Sequence, residues 1–533
     1  MNERTTPGFA SRFLYLGIAL TSPLLLWAAW PVSSLNFLVF IAWCPLLWVE
    51  DRIGNWKKWL AISYLSMLAW NLLVTWWVAK ASIEGSLGAF FANSLIMCIP
   101  LLLFFWTKRT AGRIWGYLSF IAYWLTYEYI HFNWDLSWPW LALGNAFADK
   151  PGWVQWYEYT GIAGGGLWIL LSNVLAYQLF YTYRRSGRSR AYFIVLAVWL
   201  GVLFVPLLLS RMVSIPALPA ASHNIVVVQP NIDPWDEKFE SGREAAQLEK
   251  LIRLSESQID ANTRLVVWPE TAVPVGINED RLRENFFLAP IWGFLQRHPQ
   301  INLLTGIEGY REFGSKQSRL SRRKPDGSGY YEAYNSAALL DTSRSQFYHK
   351  SRLVPGAEVL PAFLQFMAPA FEKFGGTDGG YARDTAAVVL NTDDREYRIA
   401  PAICYESVYG EYLTEFIRKG ANIICVITND GWWGNTPGYR QHMNYARLRA
   451  IETRRWVVRS ANTGISCFID PAGQVYAALP WDQEGAIKLD IPVSDRQTFF
   501  VRHGDWLSKG MLFATVLLII LTVVSFARRR KKA

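Results

Sequence analysis

Three apolar, β-rich segments each run into a residue able to act on an acyl centre. Thr263–Glu270 (TRLVVWPE) stops at a carboxylate, Gln346–Lys350 (QFYHK) at an ammonium and Tyr397–Cys404 (YRIAPAIC) at a thiol. A fourth, Asn422–Asp430 (NIICVITND), ends in Asn-Asp and leads into Gly431–Gly434 (GWWG). A thiol is only a few per cent ionised at neutral pH, so a nucleophilic cysteine needs a base or a cation beside it. Glu270 could take the proton of Cys404, while Lys350 and a backbone N–H next to Cys404 could stabilise the oxyanion of a tetrahedral intermediate. His349 is the competing base, but neighbouring strand residues face opposite ways, so only one of His349 and Lys350 can point at Cys404. The plainer readings stand beside these. A lone cysteine is often a small buried hydrophobe, and a charge at a strand end is often solvated.

Ends of neighbouring strands can converge on one site, and the pattern between residues 220 and 505 supplies such strands. Helical patterns at 244–262 and 442–454 separate them, which describes an α/β domain with buried sheets, and Asp326-Gly327 marks a hairpin that adds antiparallel pairs. The glycine-rich stretch Phe374–Gly380 (FGGTDGG) reads as a lid or as a long surface loop.

The rest of the chain is a different material. Of 533 residues, 52% are hydrophobic and 27 are Trp, too apolar and aromatic for an ordinary soluble protein. Seven apolar runs precede the domain, near 13–31, 34–50, 58–79, 86–106, 114–131, 163–182 and 191–210, and one follows at 507–527. Each is long enough to cross a bilayer core, which takes roughly 20 helical residues. The expected fold class is an integral membrane bundle of about eight transmembrane helices plus an extracytoplasmic α/β domain. The expected division is a transmembrane region at 1–212, the domain at 220–505, and a last span with a basic tail at 506–533. Short loops test the orientation, because Lys and Arg favour the cytoplasmic side. Arg52, Lys57 and Lys58, then Lys108, Arg109 and Arg113, then Arg184, Arg185, Arg188 and Arg190 fall in alternate loops, whereas 80–85 and 132–162 offer only Lys80 and Lys150. Both termini are thereby expected inside and the domain outside. The first run also reads as a signal peptide, which would leave that topology unchanged.

The net charge of +10 sits largely beside the spans and in Arg528–Lys532, so topology accounts for it without a nucleic-acid partner. There are five cysteines; Cys44 and Cys98 fall in spans, Cys425 and Cys467 sit mid-strand and read as buried, and Cys404 lies at a strand end. The aromatic loop 131–161 and the pair Trp432-Trp433 read as interfacial surfaces beside a lateral entrance.

Four blocks, VVWPE, YHKSRLVPGAE, AICYES and NDGWWG, resemble in order the catalytic blocks of the nitrilase (carbon–nitrogen hydrolase) superfamily. Together with the spans around them they resemble the apolipoprotein N-acyltransferase family, over essentially the whole chain. The resemblance implies an αββα sandwich for the domain, with Glu270 as general base, Lys350 as catalytic lysine and Cys404 as nucleophile. It also implies that Glu358 supports the lysine, that Tyr405 and Glu406 follow the nucleophile, and that Trp432 and Trp235 lie near the site as supporting or substrate-binding residues. The block reads VPGAE where the commoner form reads VPFGE, a change that bears on loop shape and lipid contact. The implied reaction moves an acyl chain from a phospholipid, through a Cys thioester, to the N-terminal amine of a diacylated apolipoprotein in the bacterial inner membrane, with the domain in the periplasm. No metal, coenzyme A or nucleotide is expected. Two other classes are possible from the residues alone: a membrane-anchored amidase with the same triad, and a transporter, which would carry ionisable residues within its spans. Glu128 is the clearest such residue.

Overall fold

A computed structural model describes residues 9–215, 220, 223–360, 363–364 and 380–531. All of the glycine-rich stretch except Gly380 lies outside the described residues. The chain divides into two compact units, one of Met1–Trp76, Ser86–Val213 and Asp505–Ala533 and one of Trp77–Gly85 and Ser214–Gly504.

The first unit is helical. Among the described residues, five helices are long and apolar enough to cross a membrane: Trp56–Lys80, Gly85–Ala111, Ile162–Ser186, Arg190–Met212 and Trp506–Arg530. Phe13–Ala28 and Asn36–Glu50 are shorter apolar helical segments, and Arg113–Phe132 is a further helix of 20 residues. The second expected run is broken into a 3₁₀ turn, Asn36–Phe40, and a helix, Cys44–Glu50. Polar side chains meet the exposed backbone at the break: Trp43 N donates to Asn173 Oδ1 at 2.7 Å, and Leu46 N to Ser22 Oγ at 3.1 Å. An interrupted helix within a membrane is tolerated only where its backbone is satisfied in this way.

The aromatic loop differs from expectation. Trp140 to Ala148 are buried inside this unit in 3₁₀ turns rather than forming an interfacial surface. Glu128 organises them, accepting from Leu143 N at 2.8 Å and Trp124 Nε1 at 2.9 Å. Glu128 is thus a structural anchor.

The second unit holds two sheets. The first contains β1 (Asn224–Gln229), β2 (Thr263–Val267), β3 (Val273–Asn278), β4 (Asn302–Phe313), β5 (Arg322–Arg323), β6 (Tyr330–Leu340), β7 (Ser345–His349) and, from the far end of the unit, β14 (Gly485–Asp490). The second contains β8 (Leu390–Asn391), β9 (Arg398–Ile403), β10 (Ile423–Thr428), β11 (Val457–Ala461), β12 (Ser466–Ile469) and β13 (Val475–Leu479). Each sheet has a parallel centre, β1-β2-β4 in one and β9-β10-β11 in the other. NIVVVQ and IICVIT are buried at every position, as strands covered on both faces must be. The sheets face each other through β1 against β11 and β12, and Ser460 Oγ donates to Val228 O across them at 2.8 Å. Helices Glu244–Glu256 and Ala289–Arg297 cover the outer side of the first sheet, and Gly410–Arg418 and Pro437–Thr453 that of the second. The outcome is the four-layer α/β sandwich expected, and the carboxyl ends of parallel strands from both sheets open on one region.

Two local features aim the first sheet at that region. After β2 the chain turns through Pro269, Glu270 and Thr271, with Thr271 at φ 50° and Gly306 N donating to Pro269 O at 3.1 Å. A Cβ on Gly306 would lie 2.5 Å from Thr271 N and 2.7 Å from Glu270 Cα, so only glycine lets β4 pass beneath this turn. At the end of β7, His349 is drawn to one side: Nε2 lies 2.8 Å from Glu279 Oε2, Nδ1 lies 3.0 Å from Asp384 Oδ1, and Tyr334 stacks on the ring at 3.9 Å. Burial works to depress His349, but the bonds and charges of Asp384 and Glu279 outweigh it and push the imidazole up to about 9.

Gly306→Ala should destabilise the protein by about 1–3 kcal/mol, the usual cost of overpacking, seen as a lower melting temperature; an unchanged one would show that β4 can move. The pH dependence of His349 has a definite sign. Its folded value of about 9 lies above its ordinary 6.5, so its stabilisation is complete below pH 6.5 and is lost as pH rises through 9. Melting temperature should fall across that window and fall less in His349→Gln; parallel slopes would exclude the imidazole as the titrating group.

Candidate active site

Glu270 follows β2 and Lys350 follows β7, both of the first sheet, whereas Cys404 follows β9 of the second. Lys350 Nζ lies 3.2 Å from Glu270 Oε1 and 2.7 Å from Glu358 Oε1 and is almost wholly buried. Asn335, on β6, donates from Nδ2 to both carboxylates, at 2.8 Å to Glu270 and 3.2 Å to Glu358. The remaining oxygens take backbone donors: Asn429 N reaches Glu270 Oε2 at 3.2 Å, and Val354 N reaches Glu358 Oε2 at 2.8 Å. Burial works to depress the Lys350 ammonium, but Glu270 and Glu358 outweigh it and hold it well above its ordinary value.

Cys404 begins a 3₁₀ turn with φ 51°, in the left-handed region. Such a backbone costs a side-chain-bearing residue about 1–2 kcal/mol, so something must hold it. Glu406 does so from beneath. Its Oε2 accepts from Ile403 N at 2.9 Å, and its Oε1 from Ser351 N at 2.7 Å, Arg352 N at 3.1 Å and Tyr348 Oη at 2.5 Å. One carboxylate thus ties the loop after the lysine to the turn of the thiol. Burial pushes Glu406 up to about 7 against the pull of these donors. Burial, then Glu270, push the Cys404 thiol well above its ordinary value, with Lys350 pulling the other way. A thiol held in this way favours its neutral form, and attack by its sulfur would require a base.

The other expected site residues fall into two groups. Tyr405 and Glu406 lie buried in the packed centre, with Tyr405 edge-on to Tyr409 at 5.2 Å, and Glu358 is half-buried at its edge. Trp235 and Trp432 form an aromatic corner, ring centroids 4.9 Å apart at 90°, with Phe239 stacked 6.2 Å from Trp432. Trp235 is 57% exposed, so this corner is a contact surface rather than core. Trp433 turns instead onto Trp77 of the same unit at 4.7 Å. In VPGAE, Gly356 takes φ 81° and Glu358 N donates to Val354 O at 2.9 Å, a tight turn that brings the Glu358 carboxylate back to Lys350. Cys425 and Cys467 are fully buried in β10 and β12.

Sequence reasoning passed over several residues here. Lys238 is buried and donates to Glu270 O at 3.0 Å; burial pushes it down to about 8, against Glu270 and Glu308. Glu308 bonds Tyr381 Oη at 2.7 Å and is raised by its burial. Asn335 becomes visible only through the β6–β7 register, in which Ser336 opposes His349 and Lys350 N reaches Asn335 O at 2.9 Å. Lys238 sits three residues beyond Trp235, in a segment whose sequence distinguishes no inward residue.

An ammonium gripped by two carboxylates near a half-buried thiol is suited to acyl transfer through a thioester. Residues 225–499 match the carbon-nitrogen hydrolase family, and residues 22–175 match the apolipoprotein N-acyltransferase N-terminal domain. The apolipoprotein N-acyltransferase of Chlorobaculum tepidum is 33% identical over 489 residues, spanning 89% of this chain and 90% of that one. That of Azotobacter vinelandii is 28% identical over 528 residues, 95% of this chain and 94% of its own, and that of Geobacter metallireducens 26% over 508, 92% and 91%. Likeness of this extent runs through both the helical and the α/β parts, and the chain belongs to the apolipoprotein N-acyltransferase family.

Proposed function

We propose that this chain takes an acyl group from a membrane phospholipid onto Cys404 and passes it to the N-terminal amine of a diacylglyceryl-cysteine apolipoprotein. The observation that carries the reading is Lys350, buried between Glu270 and Glu358 beside a neutral Cys404.

Glu270 takes the thiol proton as sulfur attacks the ester carbonyl, and Lys350 with a backbone N–H beside Cys404 receives the oxyanion. Collapse expels the lysophospholipid oxygen, protonated by Glu270, and leaves the thioester. The acceptor amine then attacks, Glu270 accepts its proton, and as the C–S bond breaks Glu270 returns that proton to sulfur, which releases the amide and restores the thiol. With Glu270, Glu358 and Lys350 ionised, the cluster carries one net negative charge. Moving the thiol proton to Glu270 while an oxyanion forms leaves that sum unchanged, so no net charge is created in a poorly solvating site. Glu358 holds the ammonium, Glu406 holds the turn of Cys404 and Tyr405, and Trp235 and Trp432 offer an aromatic surface to the substrates.

In this reading the eight apolar runs all cross the inner membrane of a bacterium, and residues 220–505 form a periplasmic catalytic domain. The Lys and Arg of alternate loops support that orientation. Several are engaged as well as positioned, since Lys108 and Arg109 pair with Glu50, and Arg113 with Asp51 at 3.0 Å. A hydrolytic amidase would use the same triad with water as acceptor. Family membership and the helical unit favour the amine.

Purified protein given phospholipid and no acceptor should hold an acyl group on Cys404 that hydroxylamine removes, and Cys404→Ser should hold none. Lys350→Ala should slow thioester formation by roughly two to three powers of ten, the scale of one lost oxyanion donor; normal accumulation would remove Lys350 from the mechanism. For topology, a phosphatase reporter active only outside the cytoplasm should work when fused after Pro216. Activity only when it is fused after Lys532 would invert the orientation.

A further inference from the structure

Behind Cys404 lies a second buried polar cluster that the acyl-transfer steps do not use. Asp430 Oδ2 accepts from Arg459 Nη2 at 2.5 Å, while its Oδ1 faces His442 Nδ1 at 2.8 Å and Thr428 Oγ1 at 3.0 Å. His442 Nε2 lies 2.8 Å from Ser407 Oγ and 3.1 Å from Cys404 O, and Ser407 Oγ donates to Cys404 O at 2.8 Å. Asp430, His442, Arg459, Ser407 and Thr428 are all fully buried. Although burial works against it, Arg459 and His442 hold the Asp430 carboxyl below the usual carboxylate range.

Serine, histidine and aspartate in this order have the connectivity of a nucleophilic triad, but the serine hydroxyl is sealed from solvent and spent on the Cys404 carbonyl. What the chain of bonds can do is hold. A trans peptide is planar, with its C=O and the following N–H pointing in opposite directions. Gripping the Cys404 carbonyl from behind therefore fixes where the Tyr405 N–H points in front. The left-handed backbone of Cys404 makes such a grip necessary, since its own preference is to relax.

We infer that Asp430 is a positioning residue that holds the Cys404–Tyr405 peptide plane through His442 and Ser407, and so aims the Tyr405 N–H at the oxyanion. This rests on the acyl-transfer reading above. It differs from a merely structural role in acting on one kind of reaction at Cys404. Acylation passes through an oxyanion; alkylation by iodoacetamide, a substitution at carbon, forms none.

Both rates are measured on the purified full-length protein, with the alkylated peptide identified by mass spectrometry. Ser407→Ala and His442→Ala should slow thioester formation from phospholipid roughly tenfold to a hundredfold, part of the cost of a whole lost donor, while alkylation stays within about twofold. His442→Gln should recover part of the loss, because its amide can donate to the carbonyl again. Parallel losses of both rates overturn the inference in favour of simple loss of structure, and unchanged acylation overturns it outright. The unaltered protein separates the two levels: absence of a thioester there defeats the acyl-transfer reading, whereas a thioester formed equally fast in wild type and variants defeats only the positioning role.

Discussion

An ammonium sealed between two carboxylates is stable only while every neighbour stays in place, and much of the α/β unit exists to keep the neighbours of Lys350 there. Removing one member of such a buried set leaves an uncompensated charge, at a cost of about 3–5 kcal/mol. Each contact comes from a different stretch: Glu270 from the turn over Gly306, Asn335 from β6, Glu358 from the turn at Gly356, and Asn429 from the end of β10. The β6–β7 register sets Lys350 beside Asn335, and the docking of the two sheets sets Asn429 beside Glu270. Each sheet has a parallel centre, so its strand ends collect on one edge and the polar residues of both sheets meet there.

Much of this was legible in the residues. Apolar strands that stop at Glu270, Lys350 and Cys404 announce both the sheets and the groups at their ends, and strand alternation already predicted that His349 would turn away from Lys350. The partners of those groups were not legible, because the bonds that define them join residues far apart in the chain. Asn335 lies 65 residues from Glu270, and Arg459 lies 29 from Asp430. Local pattern carries no information about such pairings. Glu406 shows the same limit. Beside the thiol in sequence it resembles an exposed carboxylate, and only its four donors reveal it as the brace of the turn.

The helical unit departs from its hydropathy for a related reason. Apolar runs report which residues avoid water and leave open what they avoid it with. The stretch from Trp140 to Ala148 is aromatic enough for an interface, yet Glu128 draws Leu143 inward and the turns pack. The run from 34 to 50 is long enough for one straight helix, yet Asn173 and Ser22 stabilise a break in it. A few buried polar side chains, each with a backbone partner, decide these shapes.

The order of strands along the chain has one more effect. The proposed base and cation belong to the first sheet and the proposed nucleophile to the second, while β14, which borders β1, is the last strand of the unit to be made. A partly synthesised chain can thus possess Glu270 and Lys350 without a docked thiol. Cys404 outside the assembled sandwich has neither base nor oxyanion donor at hand. On the proposed mechanism, chemical competence arrives only with the final closure of the fold, and an immature chain is latent amid the lipids that the finished one uses.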